Sequence, residues 1–314
     1  MRGVARRSVL LLAVLMAALP GCGGEANDAA RTDSAAGSAP AGADQIAVTD
    51  VGFATPESVL HDPLTDSYMV SNINGSPLEA DDNGFISLLT PEGQVASLKW
   101  IDGASDSVTL HAPKGMAVVG AFLYVADLNT IRRFDRRTGA PQGEFPIPGA
   151  SFLNDVAATP DGSVYFTDSG FRAGAGGFEP SGTDAVYRLA PDGALDTLAR
   201  GDSLGRPNGI ALAGDTVWVV SFGSGELYRV VNGGRADIQK FPRGSLDGLV
   251  IVVGDLFVSS WEGESVFRGR PAGPFAEAIR GLKAPADIGH DMWRNRILIP
   301  LFNENEVRFV PLAF

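Results

Sequence analysis

Six short segments of the chain share one pattern, and the second residue of most of them carries a side chain that can bind a cation. In chain order these second residues are Glu57, Lys114, Asn154, Asn208, Asp247 and Ala286. Two carboxylates and two carboxamides are the oxygen ligands that a hard cation such as Ca²⁺ prefers. Asn and Asp are also common turn residues before a strand. Their recurrence at one position of a repeat favours a divalent-metal site.

The segments recur because the chain is built from repeated β units. They begin at residues 56, 113, 153, 207, 246 and 285, and each is followed by a turn and further β-rich runs. Six four-stranded units predict an all-β protein, a six-bladed β-propeller, in which the inner strands all begin at one mouth of the central tunnel. A β-sandwich is the alternative, and six aligned copies count against it.

The two ends of the repeat region complement each other. The last unit reaches Phe314 after only three predicted strands, whereas residues 46–53 form a β-rich segment before the first unit. We therefore predict that the N-terminal segment supplies the outer strand of the last blade. This arrangement closes the ring and removes an open sheet edge.

Composition excludes several classes of protein. The 314 residues include 39 Gly and 20 Pro, and 45% are hydrophobic, which is typical of a turn-rich globular protein and excludes global disorder. A net charge of −12 provides no basic surface for nucleic acid. A single Cys excludes a disulfide framework within the chain and a Cys-cluster zinc site.

The N-terminus resembles an export signal. Arg2, Arg6 and Arg7 precede an apolar run over residues 8–19, which is too short to span a bilayer. The run ends at Leu19-Pro20-Gly21-Cys22, which resembles a bacterial lipobox with Cys22 as the lipidated residue. An ordinary signal peptide with an incidental Cys is the alternative.

This interpretation divides the chain into three parts. Residues 1–21 are a signal peptide, residues 22–45 are the lipidated Cys and a tether, and residues 46–314 are the propeller. We expect a monomer that is exported and anchored to a membrane by its lipid, on the periplasmic or cell-surface side. The tether composition of Ala, Gly, Ser and Asp has almost nothing to bury.

Several motifs resemble one known family. Pro56-Glu57-Ser58-Val59, Asn154-Asp155-Val156, Pro207-Asn208-Gly209-Ile210 and Leu246-Asp247-Gly248-Leu249 are similar to segments of the gluconolactonase and senescence marker protein (regucalcin) family. More distant similarity extends to the paraoxonases and to NHL-repeat proteins. The resemblance covers roughly residues 46–314.

The resemblance implies a divalent-metal hydrolase of lactones or related small-molecule esters. The residues that match the family's metal ligands are Glu57, Asn208 and Asp247, with Asn154 as a further ligand or substrate contact. Asp155 follows the ring residue Asn154, so it is a candidate base that activates water. The paraoxonases imply a different role at this position, as a ligand of a second, structural calcium. Ca²⁺ is the expected cofactor, with Mg²⁺, Mn²⁺ or Zn²⁺ as alternatives.

Two positions depart from the family pattern. Lys114 places an ammonium in the ring, where it could act in catalysis, bind an anionic substrate, or replace the metal by pairing with Glu57 or Asp247. The last case would make the protein a non-catalytic propeller that binds a ligand or another protein. Phe152 stands where relatives often carry Arg, which implies a more apolar substrate than a sugar lactone.

Three further residues are candidates for a role at the same mouth. His111 is the only His that precedes an inner strand, so it is a candidate substrate-binding residue and proton shuttle. Trp261 and Phe302 follow second strands, where they would line the pocket or pack between blades, and packing is the favoured interpretation.

Overall fold

The computed structural model describes residues 45–175 and 177–313. The predicted signal peptide, Cys22 and almost all of the tether lie outside the described residues. In chain order the strands are β1 (Ile46–Val48), β2 (Pro56–Asp62), β3 (Ser67–Asn72), β4 (Phe85–Leu89), β5 (Val95–Asp102), β6 (Pro113–Val119), β7 (Phe122–Asp127), β8 (Thr130–Asp135), β9 (Pro141–Pro146), β10 (Leu153–Ala158), β11 (Val164–Asp168), β12 (Phe171–Gly174), β13 (Gly177–Pro180), β14 (Ala185–Leu189), β15 (Leu195–Arg200), β16 (Pro207–Ala213), β17 (Thr216–Ser221), β18 (Glu226–Val231), β19 (Gly234–Lys240), β20 (Leu246–Val252), β21 (Asp255–Ser260), β22 (Ser265–Gly269), β23 (Phe275–Arg280), β24 (Gly289–Asp291), β25 (Arg296–Leu301) and β26 (Glu306–Pro311).

These strands form six four-stranded antiparallel sheets and one two-stranded hairpin. From the inside outward, the blades are β2-β3-β4-β5, β6-β7-β8-β9, β10-β11-β14-β15, β16-β17-β18-β19, β20-β21-β22-β23 and β24-β25-β26-β1. The six-bladed propeller predicted from the repeat is therefore confirmed. The only helical element in the described residues is a 3₁₀ turn, Asp202–Leu204. The described residues therefore contain no helix that is long and apolar enough to cross a membrane.

Burial explains why the strands differ in sequence. Strands β3 and β25 are buried at every residue, because the neighbouring blades cover both faces of each sheet near the tunnel. Outer strand β23 alternates between partly buried and exposed residues, with the period of two expected where one face meets solvent.

The ring closes as predicted. Strand β1 pairs antiparallel with β26, in the register Ile46 to Phe309 and Val48 to Val307. Behind this joint, a group of polar side chains, here called the seam cluster, links the last blade to the first. Its members are His61, Asp66, Tyr68, Asp291, Arg294 and Arg296.

One local feature differs from the sequence-based expectation, and a second adds to it. The inner strand of the last blade begins at Gly289 instead of Pro285, because the amide of Asp287 bonds to Glu57 O (2.9 Å) in the first blade. The long segment between β11 and β14 contains the β12-β13 hairpin, which pairs Phe171 with Pro180.

Candidate metal centre and substrate cavity

A one-residue bulge interrupts the inner strand at the start of every blade. In the first blade, Pro56 pairs with Asn72 and Ser58 with Ser71, so Glu57 has no partner in the ladder. The strand pairing shifts by one residue in the same way in the next four blades. The shifts fall between Pro113 and Met116, Leu153 and Val156, Pro207 and Ile210, and Leu246 and Leu249. In the last blade it falls between Pro285 and Gly289. Bulges re-aim side chains and are common beside active sites. The residues at the bulges are those that the repeat predicted as a ring.

Glycines after three ring residues allow the inner strands to approach one another. A Cβ on Gly115 would lie 2.5 Å from Asp155 Cα, and one on Gly209 would lie 2.3 Å from Asp247 O. A Cβ on Gly248 would meet the Ile288 amide nitrogen at 2.3 Å. The sequence shows Gly at the third position of three segments. That these glycines allow close approach becomes clear only when the neighbouring strand is known.

The ring presents four buried oxygen atoms that have no hydrogen-bond partner. They are Glu57 Oε2, Asn154 Oδ1, Asn208 Oδ1 and Asp247 Oδ1. The four side chains come from four blades, are each 3–4% exposed, and line one cavity. Buried polar atoms are nearly always paired. The four predicted ligand residues therefore fit a hard cation, which binds to oxygen.

The candidate ligand set combines charged and neutral oxygens. The described residues contain no group of three or more His, Cys, Asp or Glu side chains placed to hold a metal ion. Only Glu57 and Asp247 supply carboxylates to the ring, and the other two members are carboxamides. A site of this kind suits a cation that accepts neutral oxygen ligands.

Hydrogen bonds fix the orientation of the Asn154 amide. Ser169 Oγ donates to the Pro207 carbonyl (2.7 Å), so its lone pairs accept from Asn154 Nδ2 (3.0 Å). Since the nitrogen faces Ser169, Oδ1 is the amide atom without a partner. Ser169 lies outside the aligned segments, and sequence reasoning missed it.

The ring carboxylates are held in an environment that opposes their charge. Burial, and then the nearby carboxylates of Asp247 and Asp287, raise the pKa of Glu57 well above its usual value. Burial and Asp287 likewise raise the pKa of Asp247, although the Trp261 indole opposes this shift. Within the described residues, neither ring carboxylate has a basic side chain within 4 Å. A bound cation would supply the missing counter-charge.

Lys114 is buried in the ring but does not pair with it. Its Nζ donates to Ala112 O (2.9 Å) and lies 4.4 Å from the centre of the Phe152 ring. Desolvation lowers the pKa of Lys114 to about 8, against the attraction of Glu57 and Asp127. In the part of the chain that the structure describes, its ammonium forms no ion pair within 4 Å. The direct salt bridge to Glu57 or Asp247 is therefore not formed.

An arc of aromatic rings walls the cavity above the ring. The cavity has a volume of about 350 Å³. The aromatic arc consists of Phe152, Phe171, Phe178, Phe222, Trp261 and Phe302, all of which line it. Successive rings touch edge to face or tilted, as between Phe222 and Trp261 (5.5 Å) and between Trp261 and Phe302 (5.0 Å). Packing between blades was the favoured interpretation for Trp261 and Phe302, and the structure corrects this, because both side chains line the cavity.

Two remaining candidates, Asp155 and His111, do not line the mouth cavity. Asp155 lines a second cavity of about 300 Å³, formed by later residues of the inner strands and therefore deeper in the tunnel. Its oxygens accept from the amides of Val156 (2.6 Å) and Ile210 (2.7 Å). His111 Nδ1 lies 3.1 Å from both the amide and the carboxylate of Asp82, so it contacts the long loop after β3. The roles of Asp155 and His111 stay predictions.

The fold and site together define a six-bladed propeller with a ring of unpaired buried oxygens under an aromatic cavity. Among solved structures, the chain is similar to a gluconolactonase from Xanthomonas campestris, with 22% identity, a TM-score of 0.65, and coverage of 86% of this chain and 89% of that one. A luciferin-regenerating enzyme matches with 13% identity, a TM-score of 0.63, and coverage of 86% and 96%. Virginiamycin B lyase from Staphylococcus aureus matches with 14% identity, a TM-score of 0.59, and coverage of 86% and 99%.

These likenesses agree with the family resemblance drawn from the motifs, and at such identities they establish the fold. No protein-family model and no curated protein matches the chain. The neighbours include both a lactonase and a lyase, so the activity has to be argued from the site.

Proposed function

We propose that the chain is a divalent-cation-dependent hydrolase of esters or lactones, which acts at the tunnel mouth. The observation that carries the proposal is the ring of four buried oxygens without hydrogen-bond partners. An unpaired buried polar atom costs on the order of 1–3 kcal/mol. One cation that contacts all four would remove this cost, and Ca²⁺ suits their chemistry best.

The chain's own residues divide the work between binding and orientation. A bound divalent cation would polarise the substrate carbonyl and stabilise negative charge on its oxygen. Glu57, Asp247 and the two carboxamides would hold the ion, and the hydrogen bond to Ser169 keeps the Asn154 oxygen free to bind it. Lys114 adds positive charge at the cavity wall. Asp155 is the predicted base, although its carboxylate lies deeper in the tunnel.

The cavity wall supports an apolar substrate. Six aromatic side chains line the cavity, and they offer ring faces and edges where a sugar would need hydrogen-bond partners. Phe152 stands over Lys114, at the position where the family pattern implies Arg. We therefore propose an ester or lactone with an aromatic or alkyl portion.

The competing function is a binding propeller in which Lys114 replaces the metal. That alternative needs the ammonium beside the ring carboxylates, whereas Nζ bonds to Ala112 O and faces Phe152. The geometry thus favours the hydrolase. We propose further that the protein acts outside the cytoplasm, anchored through Cys22.

The experiment measures hydrolysis of 4-nitrophenyl esters and of alkyl-substituted lactones, in EDTA and with each of Ca²⁺, Mg²⁺, Mn²⁺ and Zn²⁺. We expect turnover that depends on one ion and falls at least a hundredfold in Asp247→Asn. Asp255→Asn is the matched control in the same blade. Asp255 pairs with Arg268 and Arg270 at the end of β21 that lies away from the mouth. Ion binding without turnover of any ester would favour the binding propeller, and absence of ion binding would refute the metal site.

A further inference from the structure

The face of the propeller opposite the mouth, here called the rear face, carries most of the exposed apolar side chains. Eight large hydrophobic residues of the described chain are exposed. Six of them lie at rear turns or at strand ends beside them, namely Leu64, Leu195, Val231, Val253, Met292 and Trp293. Phe178 lies at the mouth and Ile238 on outer strand β19. The most exposed are Val253 (85%), Met292 (67%) and Trp293 (57%).

Two of the rear turns, those that carry Leu64 and Trp293, are joined to each other. Arg294 donates to both carboxylate oxygens of Asp66 (2.8 and 2.7 Å), which joins the turn of Trp293 to that of Leu64. The Trp293 ring also contacts the His61 ring at 5.5 Å. The indole is thus supported on one side and is 57% exposed overall.

The N-terminal end of the domain lies on the same face. Phe302 lines the mouth cavity directly after β25, so β26 starts near the mouth and runs towards the rear. Strand β1 is antiparallel to β26, so Ile46 lies at its rear end. Residues 22–45 cannot separate Cys22 from Ile46 by more than roughly 80 Å. This inference rests on the lipid anchor proposed at Cys22, which would attach the domain to the bilayer through its rear end, at Ile46.

We propose that the rear face docks on the surface of a phospholipid bilayer, with Trp293 and Met292 in the headgroup region and the mouth turned away. Trp and other large apolar residues favour this interface. The chain carries a net charge of −12, so anionic lipid is not the source of attraction. The proposed occupant is a neutral lipid surface held by apolar contact, which screening by salt does not weaken.

The test uses the chain from Cys22 onwards, coupled through its only thiol to a maleimide phospholipid in phosphatidylcholine vesicles. Acyl chains with bromine atoms quench tryptophan that enters the bilayer. Trp293 is one of four tryptophans, so we expect brominated vesicles to lower the emission by up to about one quarter. Trp293→Phe should abolish this decrease. Trp100→Phe, at the mouth end of outer strand β5, is the matched control and should retain it.

Three outcomes would overturn the proposal. One is equal emission in brominated and plain vesicles. Another is a decrease that survives in Trp293→Phe but is lost in Trp261→Phe, since that would place the mouth on the bilayer. The third is a dimer in sedimentation velocity that dissociates in Trp293→Ser, which would assign the face to a second copy of the chain.

Discussion

Asp291 of the seam cluster and Asp247 of the ring at the mouth are both buried carboxylates, but their hydrogen-bond partners differ. Asp291 of the seam cluster is completely buried, and it accepts hydrogen bonds from Tyr68 and from the amides of Trp293 (2.9 Å) and Arg294 (3.0 Å). Asp247 of the ring is 3% exposed, and its Oδ1 has no partner. Partners, and not burial, distinguish a structural carboxylate from one available to a ligand.

The pKa values follow the same division. Burial opposes the charge of Asp291, but hydrogen bonds from Tyr68 and Arg294 outweigh it and lower the pKa of Asp291 to about 2. Burial dominates in the ring and raises the pKa of Glu57 and Asp247. The seam cluster therefore supplies its own counter-charges, whereas the ring carboxylates lack them and would obtain one from the cation proposed above.

The largest expected effect comes from neutralising the seam carboxylate. Asp291→Asn leaves the Arg294 and Arg296 guanidinium groups without their shared counter-charge. We expect the free energy of unfolding to fall by about 3–5 kcal/mol. Urea unfolding measures it, with Asp196→Asn as the control, because Asp196 forms an exposed pair with Arg188 that contributes about 1 kcal/mol or less. A loss no greater than the control's would contradict the role assigned to the cluster.

The same substitution in the ring should act in the opposite way. Asp247→Asn removes a buried charge that has no partner, so the stability in EDTA should stay unchanged or rise. With cation at a hundred times its dissociation constant, the unaltered chain should gain about 2.7 kcal/mol, and Asp247→Asn should lose this gain. Thermal unfolding in EDTA and in each ion measures both. If Asp247→Asn in EDTA costs as much as Asp291→Asn, the distinction between the two regions fails.

Acid should weaken the seam cluster as the Asp291 carboxylate takes up a proton. The pKa of Asp291 is about 2 in the folded chain against a usual value of 3.8. Because the folded value is the lower one, the stabilisation is complete above pH 4 and is lost as pH falls towards 2. The difference corresponds to about 2 kcal/mol. Unfolding at pH 5, 4, 3 and 2 should show this loss, and Asp291→Asn should flatten the slope.

The sequence predicted the fold because the repeat recurs in both strand pattern and spacing. It also predicted β1 as the closing strand, since the last unit lacked one strand and residues 46–53 supplied it. Glu57, Asn154, Asn208 and Asp247 could be selected because they share one repeat position. Which way each side chain points depends on the bulge, which is a property of strand pairing and leaves little trace in one sequence.

The parts that could not be predicted depend on contacts between blades. Lys114 could pair with the ring or turn away, and Ala112 O and Phe152 decide this in three dimensions. Trp261 and Phe302 were expected to pack, because apolar residues give no indication of which face they meet. Ser169 was missed because it acts through Asn154 and Pro207, which lie on two different blades.

The smallest expected effect comes from removing the hydrogen bond that orients the Asn154 amide. Ser169→Ala removes the acceptor of Asn154 Nδ2, so the amide can rotate and Oδ1 is no longer held in place. Outer groups that orient a metal ligand typically change affinity by 10–100-fold, and we expect about tenfold weaker ion binding, near 1.4 kcal/mol. Ser260→Ala is the control, because Ser260 Oγ donates to Gly244 O (2.7 Å) at the end of a second strand without contacting a ring residue. Calorimetric titration with the active ion compares the two. Equal affinities would mean that the Asn154 oxygen is not a ligand, because an amide that coordinates the ion cannot lose its orienting bond without cost.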